Sequence, residues 1–238
     1  MATIKLTLAT TLLSIAVFAQ TPQKNLQKFY QNGKPGYKDP QTGTVIVAPT
    51  YDAGSDFTEG LALVVKENKR GFINATGEVV IPLQYEDASI FYDGLARVTV
   101  SGKSGYIDKT NKAVIPFQYE EADDFVNGLA KVKMNGKYGF VDKSGKEVIP
   151  FKYDNARSFS EGLAAVMIGK KFGFIDETGK IIIDAKFDDA VFFKNGEATV
   201  KEGKETWIIN KRGKKLREVE MENEEEERER SMKKNKSK

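Results

Sequence analysis

The chain has 238 residues, 37 basic and 34 acidic, with a net charge of +3. That is length enough for a sizeable core, and there is no global field of the kind that draws nucleic acid. Histidine and cysteine are both absent, which excludes zinc sites built on them, Cys–His and Ser–His–Asp nucleophiles, a disulfide framework and a lipid-modified cysteine.

Residues 1–19 read as a signal peptide. Lys5 precedes a run of small and apolar residues, Leu6 to Phe18, that ends in Ala16-Val17-Phe18-Ala19. Small residues at Val17 and Ala19 place cleavage after Ala19. The run is short for a bilayer span and has no basic stop-transfer flank, so no transmembrane anchor is expected once it is removed. Residues 20–32 read as a polar linker.

Residues 33–216 carry a repeat. Gly60, Gly94, Gly128, Gly162 and Gly196 stand 34 residues apart, as do Phe57, Phe91, Phe125, Phe159 and Phe193. Tyr51, Tyr85, Tyr119, Tyr153 and Phe187 keep the same step. The recurring segment is Phe-x-x-Gly-Leu-Ala, and only Glu197 breaks the leucine row. A period in this range means stacked supersecondary units.

The unit from Phe125 shows how each is built. Ala130, Val132 and Met134 alternate with Lys131 and Lys133, as in a half-buried strand. Asn135-Gly136 is a hairpin signal, and Tyr138 to Asp142 form a second strand. Asp142-Lys143-Ser144-Gly145 has the acid and the glycine where a tight turn prefers them. Val148 to Tyr153 form a third strand, whose Pro150 belongs at an edge or strand end. Asp154-Asn155-Ala156 leads to the next unit. The expectation is an all-β chain of tandem 34-residue repeats, each of about three short antiparallel strands.

The ends are partial. Gly33 to Asp39 echo the second strand and Thr44 to Asp52 the third, while Glu197 to Gly213 supply a first and second strand. Both ends hold a second strand, where a closed ring would need complementary fragments. This favours an open array, with a closed propeller-like ring as the alternative. Residues 217–238 form a charged low-complexity tail with no apolar stripe to bury.

The unit Asn135 to Asp154 resembles the bacterial WG repeat, and the resemblance spans about Asn32 to Leu216. The tryptophan of that motif is replaced by Arg70, Ser104, Tyr138 and Phe172, before Gly71, Gly105, Gly139 and Gly173. Trp207 stands at the glycine position of the last unit. The resemblance implies a bacterial, often exported protein, with no enzymatic activity attached to the repeat.

Several rows could carry chemistry. Asp52, Glu86, Glu120, Asp154 and Asp188 form an acidic row, and Lys69, Lys103, Lys137 and Lys171 a basic one. They read as a charged groove or, preferably, as solvated and weakly paired edges. Asn74, Asp108, Asp142, Asp176 and Asn210 read as turn formers, because calcium needs several carboxylates converging on one ion. The aromatic row reads as core in preference to a stacking platform. Leu63, Arg97, Lys131, Ala165 and Thr199 vary at one outward position and are the better place for specificity. Equivalent carboxylates argue against one tuned acid–base pair.

No catalytic, cofactor-binding or metal-ligating residue is assigned, and no cofactor. The expectation is an exported, non-catalytic interaction scaffold, periplasmic or extracellular, reached through the Sec pathway. Its partner would be a protein or an envelope polymer, with no nucleic acid. The alternatives are a carbohydrate-active enzyme, marked by a pocket-facing carboxylate pair outside the ladders, and a structural spacer.

Overall fold

The computed structural model describes residues 26–219. The signal peptide, residues 20–25 of the linker and the tail from 220 lie outside the described residues. Every described element is a strand, and the strands form six antiparallel sheets in chain order. Sheet one holds Gln27–Gln31, Lys34–Lys38 and Val45–Val47. Sheet two holds Ala53–Gly54, Leu61–Lys66, Lys69–Asn74 and Val79–Tyr85. Sheet three repeats that plan with Asp87–Ala88, Ala96–Val100, Lys103–Ile107 and Ala113–Tyr119. Sheet four is Glu121–Ala122, Leu129–Met134, Lys137–Asp142 and Glu147–Tyr153. Sheet five is Leu163–Ile168, Lys171–Asp176 and Ile181–Phe187, with an Ala156–Val166 bridge at its free side. Sheet six is Asp189–Ala190, Glu197–Glu202, Glu205–Asn210 and Lys215–Glu218.

Two boundaries differ from the sequence reading. Gln27–Gln31, expected to be linker, is a strand paired with Lys34–Lys38. Asn32-Gly33 turns it, with φ of 52° and 76°, the left-handed pair that a two-residue hairpin needs. At the other end Arg217 and Glu218, expected in the tail, pair with Ile208 and Trp207. A further addition is the two-residue lead strand of sheets two, three, four and six, too short to show a period.

The cores lie between sheets. The second and third strands of one sheet present an aromatic and isoleucine face, and the next sheet covers it with small residues. Tyr106, Ile115 and Tyr119 of sheet three pack with Phe125 against Ala130, Val132 and Val141 of sheet four. Phe140, Ile149 and Tyr153 pack with Phe159 against Ala164, Val166 and Ile175. The same set recurs at every internal junction. A lone unit would leave its aromatic face wet, so stacking supplies the stability.

The first strand alternates as expected, with Ala130 and Val132 buried and Lys131 and Lys133 partly exposed. Lys131 and Lys133 lie opposite Phe140 and Tyr138 and so share their face. Their ammonium groups sit 5.4 and 5.1 Å from the Tyr138 ring centre. They pair with Asp123 at 3.1 Å and Glu121 at 2.9 Å. Lysine stems can cover apolar surface in this way while the charge is held elsewhere.

The array is open. Among the described residues, no hydrogen bond or ion pair joins sheet one to sheet six. Glu197, the stray of the leucine row, marks the end. Leu61 and Leu163 are buried at junctions, but no described sheet follows sheet six. Glu197 there accepts two hydrogen bonds from Arg217, at 2.9 and 2.6 Å, a polar finish that keeps a terminal repeat soluble.

The repeated glycine of the second strand is required by close approach. The third strand shifts register across it and again just after the next residue. A Cβ on Gly105 would lie 2.6 Å from the Ile115 carbonyl oxygen and 2.7 Å from that of Pro116. Gly105→Ala should therefore destabilise the protein by about 2 kcal/mol, the cost of overpacking against backbone. A denaturant midpoint equal to the parent's would show that the bulge can move away. Trp207 is tolerated at this position because Lys215–Glu218 pairs straight across it and shifts register only between Ile208 and Ile209.

Candidate interaction surface

The acidic row caps hairpins. Glu86 accepts the Ser101 and Gly102 N–H groups, each at 2.9 Å. Asp52 accepts the Glu67 N–H at 2.8 Å and Asp188 that of Gly203 at 2.8 Å. Glu120 accepts from Gly136 at 3.2 Å. These N–H groups belong to the two-residue turns, which have no ladder partner for them. The basic row joins in where Lys137 pairs with Asp154 and Lys171 with Asp188. The ladders therefore serve the turns, and no charged groove results.

The turn row behaves as expected. Asp142 Oδ1 accepts from the Ser144 N–H at 2.8 Å, its hydroxyl at 2.6 Å and the Lys146 N–H at 3.1 Å. Asp108 and Asp176 do the same with Thr110 and Thr178. Those hydroxyl donors, and the N–H groups behind them, hold the three carboxyls below the usual carboxylate range. Among the described residues no group of three or more acidic side chains is arranged to hold a metal.

A second set of polar contacts ties each unit to the next, and sequence reasoning missed it. Glu161, just before Gly162, accepts the Asn195 and Gly196 N–H groups at 2.5 and 2.9 Å. Lys211 adds an ion pair at 3.1 Å. The Gly196 N–H and the Lys211 ammonium hold its carboxyl below the usual range. Glu59 pairs with Lys109 at 2.9 Å and Asp93 with Lys143. Where the row carries Asn127, the partner is acidic, Glu177, at 3.3 Å. The signal was present as charge exchange between positions 50 apart, such as Glu59/Lys109 and Asn127/Glu177.

The variable outward position leads to the middle of the array. Arg97 bonds Asp87 at 2.7 Å and reaches Asp124 at 3.7 Å, across to the next unit. Arg70 reaches the other oxygen of Asp87 at 3.3 Å. Burial pushes the Asp87 carboxyl up, but Arg97 and Arg70 outweigh it and leave it below the usual range. Lys131 pairs with Asp123, which also accepts from the Ser158 hydroxyl. Arg97, Asp123, Asp124, Val126 and Ser158 line a shallow depression of about 330 Å³. Ala165 is fully buried instead, and Leu63 packs on the junction between sheets two and three. Thr199 faces outward on sheet six.

Asp123 and Asp124 are thus a pocket-facing carboxylate pair outside the ladders, the arrangement named above as the mark of a carbohydrate-active site. Each is already engaged by a cation, Lys131 or Arg97. The aromatic row, by contrast, is core as expected, with Tyr85, Tyr119, Tyr153 and Phe187 all at most 3% exposed. Its neighbour row behaves likewise: the Tyr37 hydroxyl donates to the Ser55 carbonyl at 2.7 Å, and burial pushes that phenol up to about 12. No helix among the described residues is long and apolar enough to cross a membrane.

A family model described as a WG containing repeat matches residues 36–69, 71–103, 105–138, 138–172 and 172–205. No curated protein matches the sequence. Among solved structures, a eukaryotic initiation factor is similar at 14% identity and a TM-score of 0.53, over 84% of this chain and 64% of that one. Hsv2p of Kluyveromyces lactis is similar at 9% identity and a TM-score of 0.49, over 79% of this chain and 71% of that one. At 14% identity the likeness to the initiation factor speaks to the arrangement of strands alone.

Proposed function

The chain belongs to the family of WG-containing repeats, and on that premise we propose that it is an exported, non-catalytic interaction scaffold at the bacterial cell envelope. One observation carries the scaffold reading. Every junction is built from the same rows, while one row changes from Leu63 through Arg97, Lys131 and Ala165 to Thr199, and its Arg97 lines the central depression. A constant frame with one variable row is how repeat arrays present a partner surface. Export is supported by the character of residues 1–19. The mature form should begin at Gln20, and an intact mass starting at Met1 in the exported protein would contradict it.

The scaffold reading is tested by capture from envelope fractions with the tagged full chain. A specific partner should be retained by the parent and weakened about tenfold or more when Arg97 and Lys131 are both changed to Ala, as expected for hot-spot cations. The same partner profile from parent and variant would remove the central depression from the account. A second reading, hydrolysis of a glycan by Asp123 and Asp124, is favoured by their shared depression. A working pair needs one carboxyl in a different environment from the other, and both here face a cation. Turnover of an envelope glycan abolished by Asp123→Asn would establish that reading.

A further inference from the structure

The five internal junctions share one docking event. The phenylalanine of each Phe-x-x-Gly inserts against the second-strand aromatic of the sheet before it. The ring centroids lie 5.2 Å apart for Tyr37–Phe57, 4.8 Å for Phe72–Phe91 and 4.7 Å for Tyr106–Phe125. Phe140–Phe159 and Phe174–Phe193 follow at 4.7 and 4.9 Å. Polar groups fix the backbone of the inserted turn. At the last junction Ser160 donates to the Phe193 carbonyl at 2.7 Å, and Glu161 accepts the two N–H groups after Lys194.

Sheet six carries the same socket, and no described residue inserts a ring into it. Ile208 stands where Phe174 does one repeat earlier, Lys194 where Ser160 does and Asn195 where Glu161 does. The floor is smaller by the change from phenylalanine to isoleucine, which leaves room for an incoming ring. Val191, Phe192, Lys194, Asn195, Thr199 and Ile208 line a depression of about 490 Å³. Phe192 is 55% exposed there and Val191 39%, an apolar wall of the sort that marks an interaction site. Polar side chains surround it, and the Glu197–Arg217 pair keeps the rim wet.

We propose that this end face is a binding socket for a Phe-x-x-Gly turn presented by another repeat-bearing protein. The inserted ring would pack on Ile208 and Phe192, and the turn would hydrogen-bond to Lys194 and Asn195. Asn195 would take an acidic side chain, as Asn127 takes Glu177. The socket continues, with those three replacements, an interface that the chain already builds at each internal junction. A second copy of the chain is not the occupant. Its leading unit, set 35 residues before the second, has Pro22 where later units have phenylalanine, and its other phenylalanines of this row are committed to its own junctions. The proposal deepens the scaffold reading and depends on it.

The test uses the full chain, isotopically labelled, and a synthetic peptide of residues 120–131, which carries Phe125 and Gly128. Saturable amide shifts are expected at residues 191–199 and 208. A Phe125→Ala peptide should bind about tenfold more weakly or worse, as for the loss of a central aromatic anchor. Ile208→Ser in the protein should weaken the parent peptide similarly. Thr199→Trp, which narrows the socket from its wall, should do the same if Ile208→Ser fails to fold. No saturable shift up to millimolar peptide, shifts elsewhere on the array, or equal binding of the Phe125→Ala peptide would overturn the socket. So would self-association of the free chain that buries these residues. Loss of the socket with capture through Arg97 and Lys131 intact would sink this proposal and leave the scaffold reading standing.

Discussion

Tyr119→Ala should cost about 3 kcal/mol or more, the range for removing a large buried aromatic side chain. Tyr119 is 1% exposed and shares a core with Ile115, Phe125 and Val132. Its ring lies 6.3 Å from that of Phe151 in a stacked pair. The cavity would open at the junction between sheets three and four, in the centre of the array. Neither sheet can close it, because each is held by its other neighbour. The effect should appear as a lower denaturant midpoint. A broader transition should accompany it, since weakening one junction uncouples the two halves of a linear array. A midpoint within error of the parent's would mean that the aromatic row faces solvent and is free to stack on a ligand.

Much of this was legible because a repeat states its rules several times. The 34-residue step, the Asn-Gly hairpin and the turn residues Asp108, Asp142 and Asp176 each correspond to one local interaction, and local interactions leave local patterns. The core rows were legible too, although their partners were not. Alternation in Ala130 to Met134 marked the lysine side as the more exposed face, as the structure has it, but not the Tyr138 ring and the two ion pairs found there. Alternation reports chemistry along one strand and says nothing of a second sheet arriving over the lysine stems.

The missed elements have similar causes. Gln27–Gln31 is mixed in polarity, and no described sheet precedes it, so it looks like linker despite the Asn32-Gly33 turn after it. The lead strands, such as Asp87–Ala88, are two residues long and carry no period. Glu197 reads as a stray until it is placed in the last described sheet, where Arg217 holds it. The tethers Glu59–Lys109 and Glu161–Lys211 join positions 50 apart, and only the stacking of units brings them together. The central depression was foreshadowed by the variable row, but the crossing from Arg97 to Asp124 depends on the same stacking.

The most direct test of the open array is to excise one central unit, residues 91–124, and join Ile90 to Phe125. The cut removes one whole period, so each side chain taken out has an equivalent one repeat later that fills its place. Phe125 would dock on Phe72 in place of Phe91. Ala130, Val132 and Val141 would cover Ile81 and Tyr85. Lys131 would meet Asp87 in place of Arg97, and Lys143 would meet Glu59 in place of Lys109, with the charges still opposed. An array whose stability sums units and nearest-neighbour interfaces loses one of each and folds. The shortened chain should be a soluble, β-rich monomer with a sharp melting transition at a lower temperature than the parent's. A closed ring deprived of one sheet would need a new curvature throughout, and aggregation of the shortened chain beside a well-folded parent would contradict the open array.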